Sequence, residues 1–301
     1  MSAFQLNSVP LLSRSVVDRA EHIRGDAQAL KEGWAEARLL RINGRGQVRL
    51  DESALILDPA VEFSAEPSPD AVFLGVEEGV HLWAVRDPEL EGALTDLRAL
   101  AGGAVDDRTA ALLSTAIALL NWHDKAGFHG ADGTVTMSAK AGWSRVTESG
   151  YEEFPRIDPA VICLIHDGGE RVLLARQASW PKSLFSLLAG FVEAGESLER
   201  CVEREMREEV GLDVREITYL GSQPWPFPRS LMLGFAAVAD PTQPLTFTDG
   251  EIAEADWFTR AQVREALAVG DWSNRDGGAR LLLPGSISIA RTIIESWAAI
   301  D

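Results

Sequence analysis

The chain has 301 residues, 46% of them hydrophobic and 25% charged, and its formal net charge is −18. This length and composition predict a globular protein with room for two domains, and the acidic balance disfavours long nucleic acid bound over a general basic surface. There is no apolar run of about 18 residues and no basic leader before an apolar stretch, so we expect no membrane span, no secretory signal and a cytoplasmic location.

Residues 1–126 predict an α+β domain. Segments 48–57 and 71–85 have the pattern of strands, and segment 108–126 is strongly helical. This part of the chain carries no recognisable chemical motif, so we expect it to serve in packing or dimerisation. His123 and Asp124 end the helical run, and a cap or packing role is expected for them because a helix C-terminus favours histidine.

Residues 127–153 are rich in Gly, Ser and Thr and show little apolar periodicity. This composition predicts a small connector. From residue 154 to residue 301 a second domain is predicted, with two strands around a turn at 167–169, one internal helix, further strands and two late helices. Strands interrupted by one helix and closed by another predict an α/β sandwich, with a mixed sheet between helices.

Residues 190–212 form the most informative segment. They follow the pattern G-x5-E-x7-R-E-U-x-E-E-x-G-U, where U is a bulky aliphatic residue. Ser197 is a good N-cap and Gly211 a good stop, which predicts a helix between them. At about 100° per residue, Glu205, Glu208 and Glu209 fall within roughly 100° of arc on that helix.

Three carboxylates on one helix face repel each other unless a cation neutralises them. Hard oxygen ligands suit Mg²⁺ or Mn²⁺, which also bind substrate phosphates. A carboxylate not used for the metal could take a proton from the attacking water. Glu196 and Arg204 are expected to pair and fix the shape of the loop and helix, so Arg204 is counted with the catalytic site.

A second motif follows at 222–230, with the sequence SQPWPFPRS. Its three prolines stiffen the loop because each fixes φ. The loop would present Trp225 and Phe227 as rigid aromatic plates, and nicotinamide and adenine both have faces that stack on such plates.

Segment 190–212 resembles the signature of the Nudix hydrolases, and segment 222–230 resembles the tag of their NAD(H) diphosphatase family. Segments 154–162 and 286–291 resemble the entry strand and the last helix start of that family. Together the similar strings span the catalytic domain. The resemblance implies a Nudix α/β/α sandwich, preceded by an α+β N-terminal domain (1–126) and a zinc-ribbon-like connector (127–153).

The resemblance also implies roles for individual residues. Metal binding would fall to Glu205, Glu208, Glu209 and Glu251, and Glu254 could share the role of Glu251. Substrate contacts would come from Phe154, Phe191, Trp225, Ser230 and the backbone of Ala290. Phe191 and Trp225 would contact the nicotinamide end, and Ser230 would reach across the interface of a homodimer.

The connector departs from the family pattern. The family commonly carries two C-x2-C pairs here, and a tetrahedral zinc site needs four such ligands. The four positions hold His129, Asp132, Val146 and Ser149. We therefore expect no structural zinc. We expect the ribbon shape to persist through packing of Phe128, Trp143 and Tyr151.

The leading hypothesis is a metal-dependent hydrolysis of NADH or NAD⁺ to nicotinamide mononucleotide and AMP. Removal of NAD caps from RNA 5′ ends breaks the same bond and stays open, as does hydrolysis of ADP-ribose or another nucleoside diphosphate derivative. A non-catalytic sensor of NAD or ADP-ribose is the alternative from a different class. The retained carboxylates argue against the sensor.

Overall fold

The fold is described from a computed structural model, for residues 4–51, 54–97, 105–248, 250–272 and 280–300. The chain divides into two compact units. We call them the box unit, made of Met1–Ser13, Asp158–Pro224 and Ser230–Asp301, and the ribbon unit, made of Arg14–Ile157 and Trp225–Arg229. The domain limits at residues 126 and 153 stay predictions.

The ribbon unit is an α+β arrangement. Its helices are α1 (Ala27–Trp34), α2 (Ala60–Phe63) and α3 (Asp107–His123). Its strands are β1 (Arg38–Ile42), β2 (Gln47–Asp51), β3 (Ala54–Leu55), β4 (Asp58–Pro59), β5 (Val72–Glu77), β6 (Val80–Arg86), β7 (Leu94–Asp96), β8 (Thr136–Ala139), β9 (Ser144–Thr147) and β10 (Glu152–Glu153). The strands predicted within 48–57 and 71–85 are thus present, although residues 52 and 53 lie outside the described residues.

Three sheets organise these strands. The largest has the order β4-β1-β6-β5, and the other two have the orders β3-β2-β7 and β10-β9-β8. The core of the ribbon unit is aromatic. The ring of Trp83 lies 5.2 Å from that of Trp34 and 5.1 Å from that of Phe73, and both pairs are edge to face. Such pairs add about 0.5–1.5 kcal/mol to the gain from burial.

Helix α3 confirms the predicted helical run. Asp106 caps its start, because its carboxylate accepts the Thr109 amide at 2.7 Å. At the other end His123 is held between two polar groups, with Nε2 at 2.8 Å from the Gly142 carbonyl and Nδ1 at 2.8 Å from Arg145 Nη1. Since the guanidinium only donates, Nδ1 accepts and Nε2–H donates. The packing role expected for His123 is confirmed.

The sheet β10-β9-β8 forms the connector, and local contacts hold its turns. His129 Nδ1 lies 2.9 Å from Asp132 Oδ1, and the two hydroxyls of Thr147 and Ser149 lie 2.9 Å apart. The ring of His129 also lies 4.1 Å from that of Tyr151.

The packing expected of three aromatic residues in the connector is confirmed in full for Trp143. Its indole donates to the Phe73 carbonyl at 2.7 Å and lies beneath the Arg24 guanidinium. The prediction is wrong for Phe128, which is 65% exposed. It holds in part for Tyr151, which is 51% exposed although its ring lies 4.1 Å from that of His129. The reason is that hydrogen bonds in the turns replace apolar packing there. That no zinc binds stays a prediction.

The box unit alternates strands and helices. Its strands are β11 (Asp158–His166), β12 (Arg171–Gln177), β13 (Leu188–Phe191), β14 (Val214–Trp225), β15 (Ser230–Ala239) and β16 (Ile252–Thr259). Its helices are α4 (Leu198–Val210), α5 (Arg260–Val269) and α6 (Ile289–Ala298).

The sheet of the box unit is mixed, as predicted. Its order is β14-β15-β11-β12-β16, with β13 added to β11. Strand β11 runs parallel to β15 and antiparallel to β12 and β13. Apolar side chains of α4 pack in one core with one face of β11, and those of α6 pack in a second core with the other face. This confirms the predicted α/β sandwich. In the described part of the chain, no helix is long and apolar enough to cross a membrane.

Candidate active site

Helix α4 carries the predicted carboxylates and begins and ends where the sequence indicates. Ser197 Oγ accepts the Arg200 amide at 3.3 Å, and Gly211 takes φ 74°, the left-handed conformation that ends many helices. The buried side of the helix includes Cys201, Val202, Met206 and Val210. Burial of this stripe against the sheet fixes how the remaining side chains of the helix are directed.

Glu205 packs directly on the backbone of strand β13. A Cβ atom added to Gly190 would lie 1.9–2.2 Å from the Glu205 carboxyl group, so only glycine leaves room for this carboxylate. The Glu205 side chain is 12% exposed. Desolvation raises the pKa of Glu205, and the Arg204 guanidinium opposes that rise.

Arg204 holds the motif together. Its Nε and Nη2 donate to the two oxygens of Glu196, each at 2.9 Å, which confirms the predicted pair as a bidentate one. Nη2 also donates to the Phe191 carbonyl at 2.9 Å. The pairing with Arg204 lowers the pKa of Glu196 to about 2 and raises that of Arg204 itself.

Arg204 has a further role that the sequence reasoning missed. Its Nη1 donates to Glu205 Oε1 at 2.9 Å and to Glu208 Oε2 at 3.0 Å. Two of the predicted metal ligands therefore share one guanidinium nitrogen. The spacing of four residues between Arg204 and Glu208 is the signal that could have indicated the second contact.

The three carboxylates of α4 differ in exposure. Glu208 is 54% exposed, whereas Glu209 is 3% exposed. The donor chemistry fits a hard divalent cation, since Glu205 and Glu208 already converge on a cationic nitrogen. Within the described ranges, no three His, Cys, Asp or Glu side chains are grouped as a metal centre. The assignment of Glu205, Glu208, Glu209 and Glu251 as ligands therefore stays a prediction.

Glu251 and Glu254 lie at the start of strand β16. The Glu251 carbonyl accepts the Ala178 amide at 3.4 Å, and its side chain is exposed. The Glu254 carboxylate pairs with Arg176 at 3.2 Å, across the register of β12 and β16. This ion pair gives Glu254 a structural partner.

Two of the predicted substrate residues belong to the ribbon unit. Phe154 is 60% exposed, with Lys140 Nζ 5.3 Å above its ring. The ring of Trp225 lies 5.1 Å from that of Phe227, edge to face, as expected of a stiff aromatic loop. Asn121 donates to the carbonyls of Pro226 and Pro228 at 3.2 and 3.3 Å. Asn121 could not be identified from the sequence, because nothing local relates a helix to a loop 105 positions later.

The other predicted substrate residues belong to the box unit. Phe191 is 58% exposed at the end of β13, and Ser230 begins β15 opposite Asp158. Ala290 is buried, and its amide donates to Ser288 Oγ at 3.2 Å as part of the N-cap of α6. Gln223, also missed, is fully buried and donates to the Ile287 carbonyl at 2.9 Å. It ties the SQPWPFPRS segment to the start of α6.

Comparison with known families separates two regions of the chain. Residues 156–277 match the NUDIX domain, and residues 19–122 match the NADH pyrophosphatase-like rudimentary NUDIX domain. The first region includes α4 and its carboxylates. The second lies in the ribbon unit.

The curated relatives cover nearly the whole chain. The "NAD-capped RNA hydrolase NudC" of Mycobacterium bovis (strain BCG / Pasteur 1173P2) is 59% identical over 307 residues, covering 99% of this chain and 97% of the relative. The protein of the same name from Mycobacterium tuberculosis (strain ATCC 25618 / H37Rv) is also 59% identical, with the same coverage. The human "NAD(P)H pyrophosphatase NUDT13, mitochondrial" is 37% identical, covering 86% of this chain and 75% of the relative. The chain therefore belongs to the Nudix hydrolases and, within them, to the NADH pyrophosphatase family that includes NudC.

Proposed function

We propose that this protein is a metal-dependent NAD(H) diphosphatase. Water attacks one phosphorus of the central pyrophosphate, the bridging P–O bond breaks, and the products are nicotinamide mononucleotide, in the redox state of the substrate, and AMP. The observation that carries the proposal is the network in which Arg204 gathers Glu196, Glu205 and Glu208 beneath the 190–195 loop. The names of the relatives, which refer to hydrolysis of NAD caps and of NAD(P)H, agree with it.

The proposed ligands of Mg²⁺ or Mn²⁺ are Glu205, Glu208 and Glu209 on α4, with Glu251 from outside the motif. When bound, such an ion neutralises phosphate charge and lowers the pKa of a bound water. The chain itself contributes orientation: Gly190 leaves space for Glu205, and Arg204 fixes the loop that precedes the helix. A carboxylate of this set accepts the proton of the attacking water.

Recognition of the dinucleotide is proposed for the aromatic residues and the loop segments. Phe154, Phe191 and Trp225 offer faces for the nicotinamide and adenine rings. The exposure of Phe154 and Phe191 supports this role, since a large apolar side chain gains by being covered on ligand binding. Ser230 and the backbone of Ala290 complete the proposed set. A homodimer and a cytoplasmic location belong to the same proposal.

A second candidate function is removal of NAD caps from RNA 5′ ends. The name of the relatives that are 59% identical over 99% of this chain favours it. The bond that breaks is the same, so the site chemistry does not separate the two. The proposed aromatic contacts argue against ADP-ribose as the substrate, since ADP-ribose carries no nicotinamide ring for them to bind. A non-catalytic sensor has no need of the full set of carboxylates.

The direct test incubates the purified protein with NADH, NAD⁺, ADP-ribose and NAD-capped RNA, with Mg²⁺ or Mn²⁺, and separates the products chromatographically. We expect cleavage of NADH or NAD⁺ with either ion and none after chelation. Cleavage of ADP-ribose with NADH left intact would refute the proposed substrate. If no substrate is cleaved with either ion, the sensor is favoured.

Glu208→Gln tests the proposed ligand set. We expect turnover to fall by more than about 100-fold, because changes at residues that only support metal ligands already cost 10- to 100-fold. Glu203→Gln is the matched control, since Glu203 lies on the same helix and pairs with the exposed Arg200. Equal turnover of Glu208→Gln and wild type would remove Glu208 from the site.

A further inference from the structure

An open groove of about 510 Å³ lies within the ribbon unit, beside the connector sheet. Phe154, a predicted substrate residue, forms part of its lining. Phe128 and Tyr151 line it as well, at 65% and 51% exposure. Three exposed aromatic side chains in one groove are more than the two rings of a dinucleotide require, given that Phe191 and Trp225 are also proposed for them.

Exposed apolar side chains are concentrated in the part of the chain that supplies most of this groove. Of the fourteen large hydrophobic side chains that are exposed among the described residues, six lie in the thirty residues from 128 to 157. They are Phe128, Val135, Met137, Tyr151, Phe154 and Ile157. Three of them, Phe128, Tyr151 and Phe154, line the same groove. Exposed apolar side chains grouped in this way mark a binding surface rather than the ordinary scatter of apolar residues on a protein exterior.

The groove has cationic side chains in its lining, although the chain as a whole is acidic. Lys125, Arg156 and Arg229 line it, in a protein whose net charge is −18. Two carboxylates line it too, those of Glu152 and Glu153, but Glu152 is paired with Lys140 at 2.8 Å. The groove therefore combines aromatic plates with three cationic side chains against two carboxylates. Aromatic side chains beside a basic track are how proteins bind single-stranded nucleic acid without reading its sequence.

We propose that this groove binds the first nucleotides that follow the cap of a 5′-NAD-capped RNA, with bases stacked on Phe128 and Tyr151 and phosphates near Lys125. This inference rests on the second candidate function. The proposal is compatible with the acidic chain, because binding a few nucleotides needs only a few basic side chains in one groove. A second copy of the chain fits the groove less well, since Lys and Glu are depleted from the centres of protein interfaces and both line this groove.

The test compares two substrates, NADH and a ten-nucleotide single-stranded RNA with a 5′-NAD cap. For Tyr151→Ala and for Phe128→Ala we expect kcat/KM on the capped RNA to fall roughly 10-fold, from loss of base stacking. Hydrolysis of NADH should be unchanged. Tyr151→Phe keeps the aromatic face and should retain the wild-type rate on RNA, which separates stacking from damage to the His129 contact.

Charge is tested by salt dependence. For Lys125→Ala the slope of log affinity against log salt should be shallower by about 0.7, the contribution of one phosphate contact on a single strand. The affinity is measured by fluorescence anisotropy, with a 3′-labelled 5′-monophosphate RNA of the same sequence and no divalent ion. The matched controls are Phe63→Ala and Lys31→Ala, since both side chains are exposed elsewhere in the ribbon unit.

The outcomes separate this proposal from the proposed function. If NADH and capped RNA are both cleaved and the groove variants affect neither, or both equally, the groove is not an RNA track. Wild-type protein that fails to bind the labelled RNA also overturns the proposal, whatever it hydrolyses. A changed sedimentation coefficient in the groove variants would assign this face to contacts between copies instead. Loss of all hydrolysis in wild type, with RNA binding intact, would refute the diphosphatase alone.

Discussion

The loop and helix at 190–212 and the connector at 127–153 both resemble family segments that bind metal ions, yet they hold their shapes differently. In the first, Arg204 joins three carboxylates and a carbonyl. In the second, three of the four positions that take the place of zinc ligands make local contacts, between His129 and Asp132 and between Ser149 and Thr147. Clustered like charges need an internal cation, so each residue of the first segment depends on the others. The local contacts at these connector positions can be replaced one at a time.

Replacing Arg204 tests this interdependence most severely. Arg204→Ala leaves Glu196 and Glu205, which are 13% and 12% exposed, without their guanidinium. We expect the free energy of unfolding to fall by about 3 kcal/mol, toward the low end of the cost of breaking a buried ion pair. Urea denaturation measures the loss, and hydrolysis should fall with it.

Arg200→Ala is the matched control for that change. Arg200 lies on the same helix, its side chain is 75% exposed, and its pair with Glu203 should contribute under about 1 kcal/mol. If both variants lost the same stability, the guanidinium of Arg204 would not be what organises the motif.

Gly190→Ala tests the position of the Glu205 carboxylate separately from the stability of the fold. The new Cβ must displace the Glu205 carboxylate, which is the mobile end of a side chain, so the fold should lose only about 1 kcal/mol. Hydrolysis should fall by roughly 100-fold, because misplacement of a site group by about 1 Å costs that much. Steady-state kinetics and thermal unfolding measure the two effects.

The connector offers a control of the same kind. A Cβ added at Gly127 meets nothing within 4 Å, so Gly127→Ala should change neither activity nor stability. A Gly190→Ala variant with wild-type turnover would show that the close approach of Glu205 to β13 has no part in the reaction.

The stability of the ribbon unit should depend on pH through His123. Burial is the main cause that lowers the pKa of His123, and Arg145 lowers it further, while the Gly142 carbonyl, Asp124 and Asp70 oppose this. The unfolded chain therefore takes up a proton near pH 6.5 while the folded protein does not. The stability due to neutral His123 is complete above that pH and is lost as the pH falls below it.

The measurement is the free energy of unfolding between pH 7.5 and pH 5.5, for wild type and for His123→Gln. The pKa values of His81 and His166 are also lowered by burial, so both proteins should lose stability in acid. Wild type should lose more. Equal losses would mean that His123 is protonated in the folded protein without cost.

Ser149→Ala should have the smallest effect. Ser149 is exposed and contacts only the Thr147 hydroxyl among the hydrogen bonds described, so the free energy of unfolding should change by no more than about 0.5 kcal/mol. Chelation should leave the melting temperature of wild type unchanged. A large loss in Ser149→Ala that added zinc restored would instead mean that the connector binds a metal ion.

Much of the box unit could be predicted from the sequence because its signals are local. The cap at Ser197, the stop at Gly211 and the apolar stripe of α4 depend on neighbours in the chain and on helical periodicity. The Glu196–Arg204 pair could be predicted because every defined position of the 190–212 motif holds the expected residue type. The positions of the connector's aromatic residues were harder to predict. Phe128 and Tyr151 are residue types that are usually buried, yet both are exposed.

The sequence by itself determined the family, the α/β sandwich and the set of acidic residues, because motif spacing and periodicity are properties of the chain. Only the tertiary structure decided that Glu205 packs on Gly190, that Arg204 also binds Glu205 and Glu208, and that Asn121 anchors the 226–228 loop. It also placed cations and exposed aromatic rings in one groove of an acidic protein. These contacts join residues distant in sequence, and their partners are selected by packing, which no local pattern encodes.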